Sequence, residues 1–130
     1  MSHVTKAFIE LYNSKTTLLL KALRKYEKLI IIAVGIESQK STLDKVKLSD
    51  VTGRINGMAE NLNYEKLKQG EIMEILLRLK AFGILTIMNE KPNKIDNNMH
   101  IQTFVYPDEL CSAYENECEI YTKFKFLFGE

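Results

Sequence analysis

Between Glu71 and Met88 the chain changes its periodicity within a few residues. Ile72, Ile75, Leu76 and Leu79 recur at helical spacing, with Glu71, Glu74, Arg78 and Lys80 between them. Apolar residues three and four apart lie on one stripe of an α-helix. Gly83 then closes that helix, because glycine enters the left-handed conformation at little steric cost. Ile84-Leu85-Thr86-Ile87-Met88 follows at once as an apolar run suited to a strand. The polar stretch Asn89–Asn98, which holds Pro92, reads as a loop, and Met99–Tyr106 reads as a second strand. A helix therefore runs directly into a β-hairpin.

The rest of the chain is mostly helical. Ser2 caps a first helix with Val4, Ala7, Phe8, Leu11 and Tyr12 on its apolar stripe, and Asn13-Ser14 ends it. Helices are expected from about Lys15 to Leu23 and from Lys25 to about Ser38. The second of these carries Leu29-Ile30-Ile31-Ile32-Ala33-Val34 and Ile36, apolar on nearly every side, which places it at the centre of the core. A polar loop over 39–47 leads toward a short strand at Val46–Leu48. Ser49 then caps a helix with Val51, Ile55, Met58, Ala59 and Leu62 inward. Gly53 and Gly57 sit four apart on its other side, open to close helix packing or a partner's approach, though most glycines in such places are simply tolerated. Pro107-Asp108-Glu109 opens a last helix, since proline suits a first turn and acids suit its positive end. Leu110, Cys111, Tyr114, Cys118 and Tyr121 form its stripe, and Lys123-Phe124-Lys125-Phe126-Leu127-Phe128 ends the chain in aromatics.

The fold class is thus mainly α with a small β-hairpin wing, a winged helix-turn-helix, in one domain over 1–130. A chain of 130 residues buries roughly two-thirds of the surface it exposes when unfolded. Its longest strongly apolar run, Leu29–Ile36, is far shorter than the roughly 20 residues of a membrane span. No secretory leader is visible at Met1. Cys111 and Cys118, on one helix, would be about 10 Å apart, beyond disulfide reach. They read as buried small hydrophobes in a reducing compartment, cytosol or nucleus.

Catalysis has few residues to stand on. His3 lies in the terminal helix and His100 in a wing strand, and two thiols without a nearby histidine make a poor zinc site. There is no phosphate-binding glycine loop. Asp108-Glu109 and Glu115, Glu117 and Glu119 read as a solvated helix face. No enzyme, no cofactor and no metal is expected.

Two functions use a winged helix: reading DNA and joining proteins. DNA contact would come from Lys66, Lys68, Gln69 and Arg78 on the helix before the hairpin, with Lys91 and Lys94 in the wing. Lys40, Lys45 and Lys47 could add phosphate contacts. Against this, Glu71 and Glu74 share the exposed side, and the formal net charge is only +1, far from the basic balance of a dedicated DNA reader. The charge is uneven: Pro107–Glu130 holds six acids and two lysines, net −4, which leaves +5 on 1–106. Joining proteins would use the aromatic surplus, with Phe8, Tyr12, Tyr121, Phe124, Phe126 and Phe128 as dimer-interface candidates. The acidic last helix could pair with the basic body of a two-fold copy.

Three stretches sharpen the choice: His3-Val4-x-Lys6-Ala7-x-x-Glu10-x-x-Asn13-Ser14, then Leu23-x-x-x-x-Lys28-Leu29-Ile30-Ile31, then Leu79-x-x-x-Gly83-Ile84-Leu85. In them the chain resembles the C-terminal winged-helix domain of the origin recognition complex large subunit and silent information regulator 3 family of budding yeasts. The resemblance spans the whole order of elements and implies a C-terminal piece of a larger AAA+-like protein. It implies a nuclear, chromatin-associated role in silencing or at replication origins. One branch of the family encircles DNA beside an ATPase, and the other self-associates along nucleosomes. Glu71, Glu74 and the near-neutral charge favour the self-associating branch. The expected partners are a second copy and other chromatin, silencing or replication proteins, with DNA contact weak and no membrane.

Overall fold

In the computed structural model the described residues are 15–41, 45–88 and 99–128. They are mainly helical with a small antiparallel sheet of three strands. The expected first helix, with Phe8, Tyr12 and His3, and the wing loop with Lys91 and Lys94 lie outside the described residues.

Residues 15–22 are helical (α1) and lead into α2, Lys25–Lys40. Strand β1, Val46–Lys47, precedes α3, Leu48–Asn61, and α4 spans Gln69–Ala81. The sheet is completed by β2, Leu85–Met88, and β3, His100–Thr103. Two short helices follow, α5 at Pro107–Tyr114 and α6 at Glu119–Phe124, with a 3₁₀ turn at Lys125–Phe128.

Helix α2 is the hub. Leu29 to Val34 and Ile36 are fully buried, and α3, α4, α6, β1, β3 and the 3₁₀ turn all pack on it. The apolar run on every side is thus matched by neighbours on every side. Gly35 is where the packing is tightest. A Cβ there would stand 2.9 Å from Leu110 Cδ1 and 3.2 Å from Phe128 Cε1. Its lack of a side chain lets α5 and the end of the chain close on α2.

Three helices begin with the same device. At the third helical position a glutamate turns back and accepts the backbone N–H just before the helix. Glu27 accepts from Arg24 at 2.8 Å, Glu71 from Lys68 at 2.9 Å and Glu109 from Tyr106 at 3.0 Å. Each carboxylate satisfies an orphan donor and faces the positive end of its helix. Glu109 is therefore a helix cap and not part of a freely solvated acidic face. Ser49 is not the cap of α3 either, because the helix already begins at Leu48, after Lys47.

The sheet order is β1-β3-β2, with Val46 opposite Ile101 and Ile87 opposite Ile101 on the other edge. Val46, Leu85 and Ile101 face the core. The second hairpin strand is shorter than the sequence suggests, since β3 ends at Thr103 and Val105–Tyr106 turn away before Pro107. Gly83, at φ 81°, closes α4 in the left-handed conformation.

The single last helix expected from the stripe is broken in two. Asn116 takes φ 66° in the turn between α5 and α6, a conformation asparagine tolerates better than most residues. Cys111 and Cys118 therefore belong to separate turns of structure and are both free thiols. Tyr114 anchors this region, its buried hydroxyl donating to the Leu20 carbonyl of α1 at 2.6 Å.

Candidate functional site

The aromatic end of the chain divides between core and surface. Phe124 and Phe128 are four residues apart, share one side of the α6–3₁₀ segment and are buried. Phe128 packs on Tyr121 with ring centroids 5.8 Å apart, and Tyr121 packs in turn on Tyr114. Tyr121, Phe124 and Phe128 are thus core residues with no surface to offer a partner. Phe126, on the opposite side, is 71% exposed. Of the six interface candidates, Phe126 alone is on the described surface.

A second aromatic face was not singled out by sequence. Phe82 and Phe104 are 47% and 45% exposed and line one cleft of about 190 Å³, with Leu19, Ile84 and Val105 beneath them. The backbone explains the pairing. Gly83 reverses the chain after α4, and the Phe104 N–H donates to the Ile84 carbonyl at 2.9 Å. The Thr103 hydroxyl accepts the Val105 N–H at 3.0 Å, which turns Val105 inward and Phe104 outward. Leu18 and Tyr106, close by in the chain, are also exposed. The available signal was local: Phe82 lies past the last inward position of α4, and Phe104 is out of step with Ile101 in a ladder of period two.

The exposed side of α4 differs from its sequence reading. Lys66, Lys68 and Gln69 are exposed at the start of the helix, as a DNA-facing end requires. Glu71, however, is bound to the Lys68 backbone, and Glu74 pairs with Arg78 at 3.4 Å. Arg78 also reaches the buried Glu27 at 3.5 Å. Arg78 therefore ties α4 to α2, and both glutamates are engaged within the fold, Glu71 by a backbone N–H and Glu74 by Arg78. Leu77 adds an exposed apolar side chain to the same side.

Chemically reactive groupings are sparse here. Among the described residues no three of His, Cys, Asp and Glu are grouped to hold a metal ion. The Cys111 thiol sits 2.9 Å from a Glu115 carboxylate oxygen, and that hydrogen bond, with burial, raises its pKa. A raised pKa keeps the sulfur in its less nucleophilic thiol form. No helix among the described residues is long and apolar enough to cross a membrane.

No protein-family model matches this chain, and no curated protein matches it in sequence.

Proposed function

We propose that this chain is a winged helix-turn-helix interaction module that pairs with a second copy of itself. The element order supports the fold: a central helix, a short strand, two helices, then a hairpin whose return strand lies between its partner and the first strand. In this reading α3 and α4 are the helix-turn-helix, with Asn63 at φ 59° in the turn between them.

The observation that carries the function is the paired exposure of Phe82 and Phe104 around one cleft. Two half-exposed phenylalanines with an apolar floor form the kind of contiguous patch that partners cover. A two-fold axis through it would set each Phe82 against its copy's cleft, and aromatic anchors of this kind dominate interface energetics. Phe126 offers a second aromatic contact on another face. The host remains the one implied by the resemblance, a nuclear, chromatin-bound protein of silencing or origin recognition.

The test is gel filtration of the 130-residue chain beside a Phe82→Asp/Phe104→Asp variant. Both positions are solvent-facing, so the variant keeps its helical circular dichroism and elutes as a monomer where the parent elutes as a dimer. A variant that dimerises like the parent overturns this choice of face.

The engagement of Glu71 by its helix N-terminus and of Glu74 by Arg78 favours a second reading, duplex DNA contact by Lys66, Lys68 and Gln69. It predicts binding that falls steeply with salt, by a logarithmic slope of about 0.9 for each neutralised phosphate. The self-association reading predicts a shallow slope.

A further inference from the structure

Two cavities beside α3 adjoin at Glu37 and Asp50, which line both. The larger, about 490 Å³, is floored by Gly53, Gly57 and Met58, with Phe126 among its lining. The smaller, about 280 Å³, is lined by Lys40, Lys45, Lys47 and His100. Together they make one groove with a mixed end, where Met58, Phe126 and Leu127 stand beside Arg54 and Asn61, and a lysine-rich end. The Glu37 carboxylate is held by Arg54 at 2.7 Å, so among the described lining residues three lysines are set against Asp50 at the basic end.

Nothing in the fold itself requires glycine at 53 or 57. No heavy atom lies within 4 Å of where either Cβ would stand, in contrast to Gly35. A glycine inside a helix costs roughly 0.5–1 kcal/mol relative to alanine. The bare helix surface leaves room for something outside the domain.

We propose that this groove docks an extended acidic segment of another protein. An aromatic or long aliphatic anchor lies over Gly53 and Gly57 beside Phe126, and its carboxylates meet Lys40, Lys45 and Lys47. From Gly57 to Leu48, the first residue of α3, the helix rises about 14 Å. An extended peptide covers that in about four to five residues, which sets the spacing between anchor and acids. The charge at the basic end selects the partner's sign, and the glycine floor selects a bulky anchor. The groove shares no residue with the Phe82–Phe104 cleft, which carries the self-association reading; Phe126 alone is common to the groove and the second contact suggested for a dimer, and with it in the groove that second contact is given up.

The experiment is fluorescence anisotropy of the 130-residue chain with a short labelled peptide in which a phenylalanine precedes a run of glutamates by four residues. The comparison peptides replace the glutamates by lysines or the phenylalanine by alanine. The acidic peptide binds, and each comparison peptide binds about tenfold more weakly or worse. Gly57→Phe fills the groove from within; its Cβ meets nothing within 4 Å, and circular dichroism and a thermal melt confirm that the variant is folded before its binding is read. It weakens the acidic peptide by a similar factor, as does Lys45→Glu/Lys47→Glu. Equal binding of the acidic and lysine peptides, or unchanged binding to folded Gly57→Phe, overturns the proposal. So does a Gly57→Phe chain that loses self-association, which would make the occupant a second copy. Phe82→Asp/Phe104→Asp leaves peptide binding unchanged, so failure here and failure of the self-association reading are separable.

Discussion

Glu71 accepts the backbone N–H of Lys68 at 2.9 Å, and so turns into the first turn of α4. By sequence it is an acid on an exposed helix side, in a position to repel a polyanion. In the fold it satisfies an orphan donor and faces the positive end of the helix dipole. Replacing it with alanine is expected to cost about 1 kcal/mol, the usual worth of a helix cap. Urea unfolding measures this, and Glu71→Gln, which can still accept the bond, recovers part of it. An unchanged midpoint in Glu71→Ala would show that the cap does not hold the helix.

Gly35 and Gly57 make an opposed pair. Alanine at 35 must push aside Leu110 and Phe128, which lie within 2.9 and 3.2 Å of the new Cβ, and overpacking of this kind costs about 1–3 kcal/mol. Alanine at 57 meets nothing within 4 Å and gains helix propensity, so it stabilises by about 0.4–1 kcal/mol. Thermal melts of the two variants should move in opposite directions.

Gly83 tests the helix-to-strand junction. Its φ of 81° is unfavourable for residues with a Cβ, and Gly83→Ala should destabilise by about 1–2 kcal/mol even though the space around it is open. Gly83→Asn should cost less, because asparagine tolerates this region. Denaturant titration of both variants gives the ranking.

Alkali should unfold the domain from its tyrosine cluster. Burial pushes the Tyr114 phenol far up and, with the Cys111 hydrogen bond second, pushes Tyr121 up to about 12. The folded chain holds these protons more tightly than the unfolded chain, which releases them near pH 10. Stability is therefore full below about pH 10 and falls as pH rises through the folded value. Tyr121→Phe should flatten that fall, as read by urea midpoints between neutral and strongly alkaline pH.

The sequence showed the framework because its strongest signals were periodic. The run Leu29–Ile36 identified the hub, and Gly83 marked the helix-to-strand junction within a residue or two. What it hid was set by partners far along the chain. Phe124, Phe126 and Phe128 look alike in sequence, and only the packing of the first and last against α2 and Tyr121 separates core from surface. The break at Asn116 was masked because Cys118 and Tyr121 continue the stripe of α5 in register across it. Glutamate caps without a serine or threonine before them were equally silent. The Phe82–Phe104 cleft joins residues far apart in sequence, a relation periodicity does not carry.

Self-association is the central claim, and sedimentation equilibrium of the 130-residue chain across micromolar concentrations tests it most directly. The fit should require a monomer–dimer equilibrium, with the mass rising toward twice 15.0 kDa as concentration increases. A constant monomer mass up to the highest concentration would contradict it.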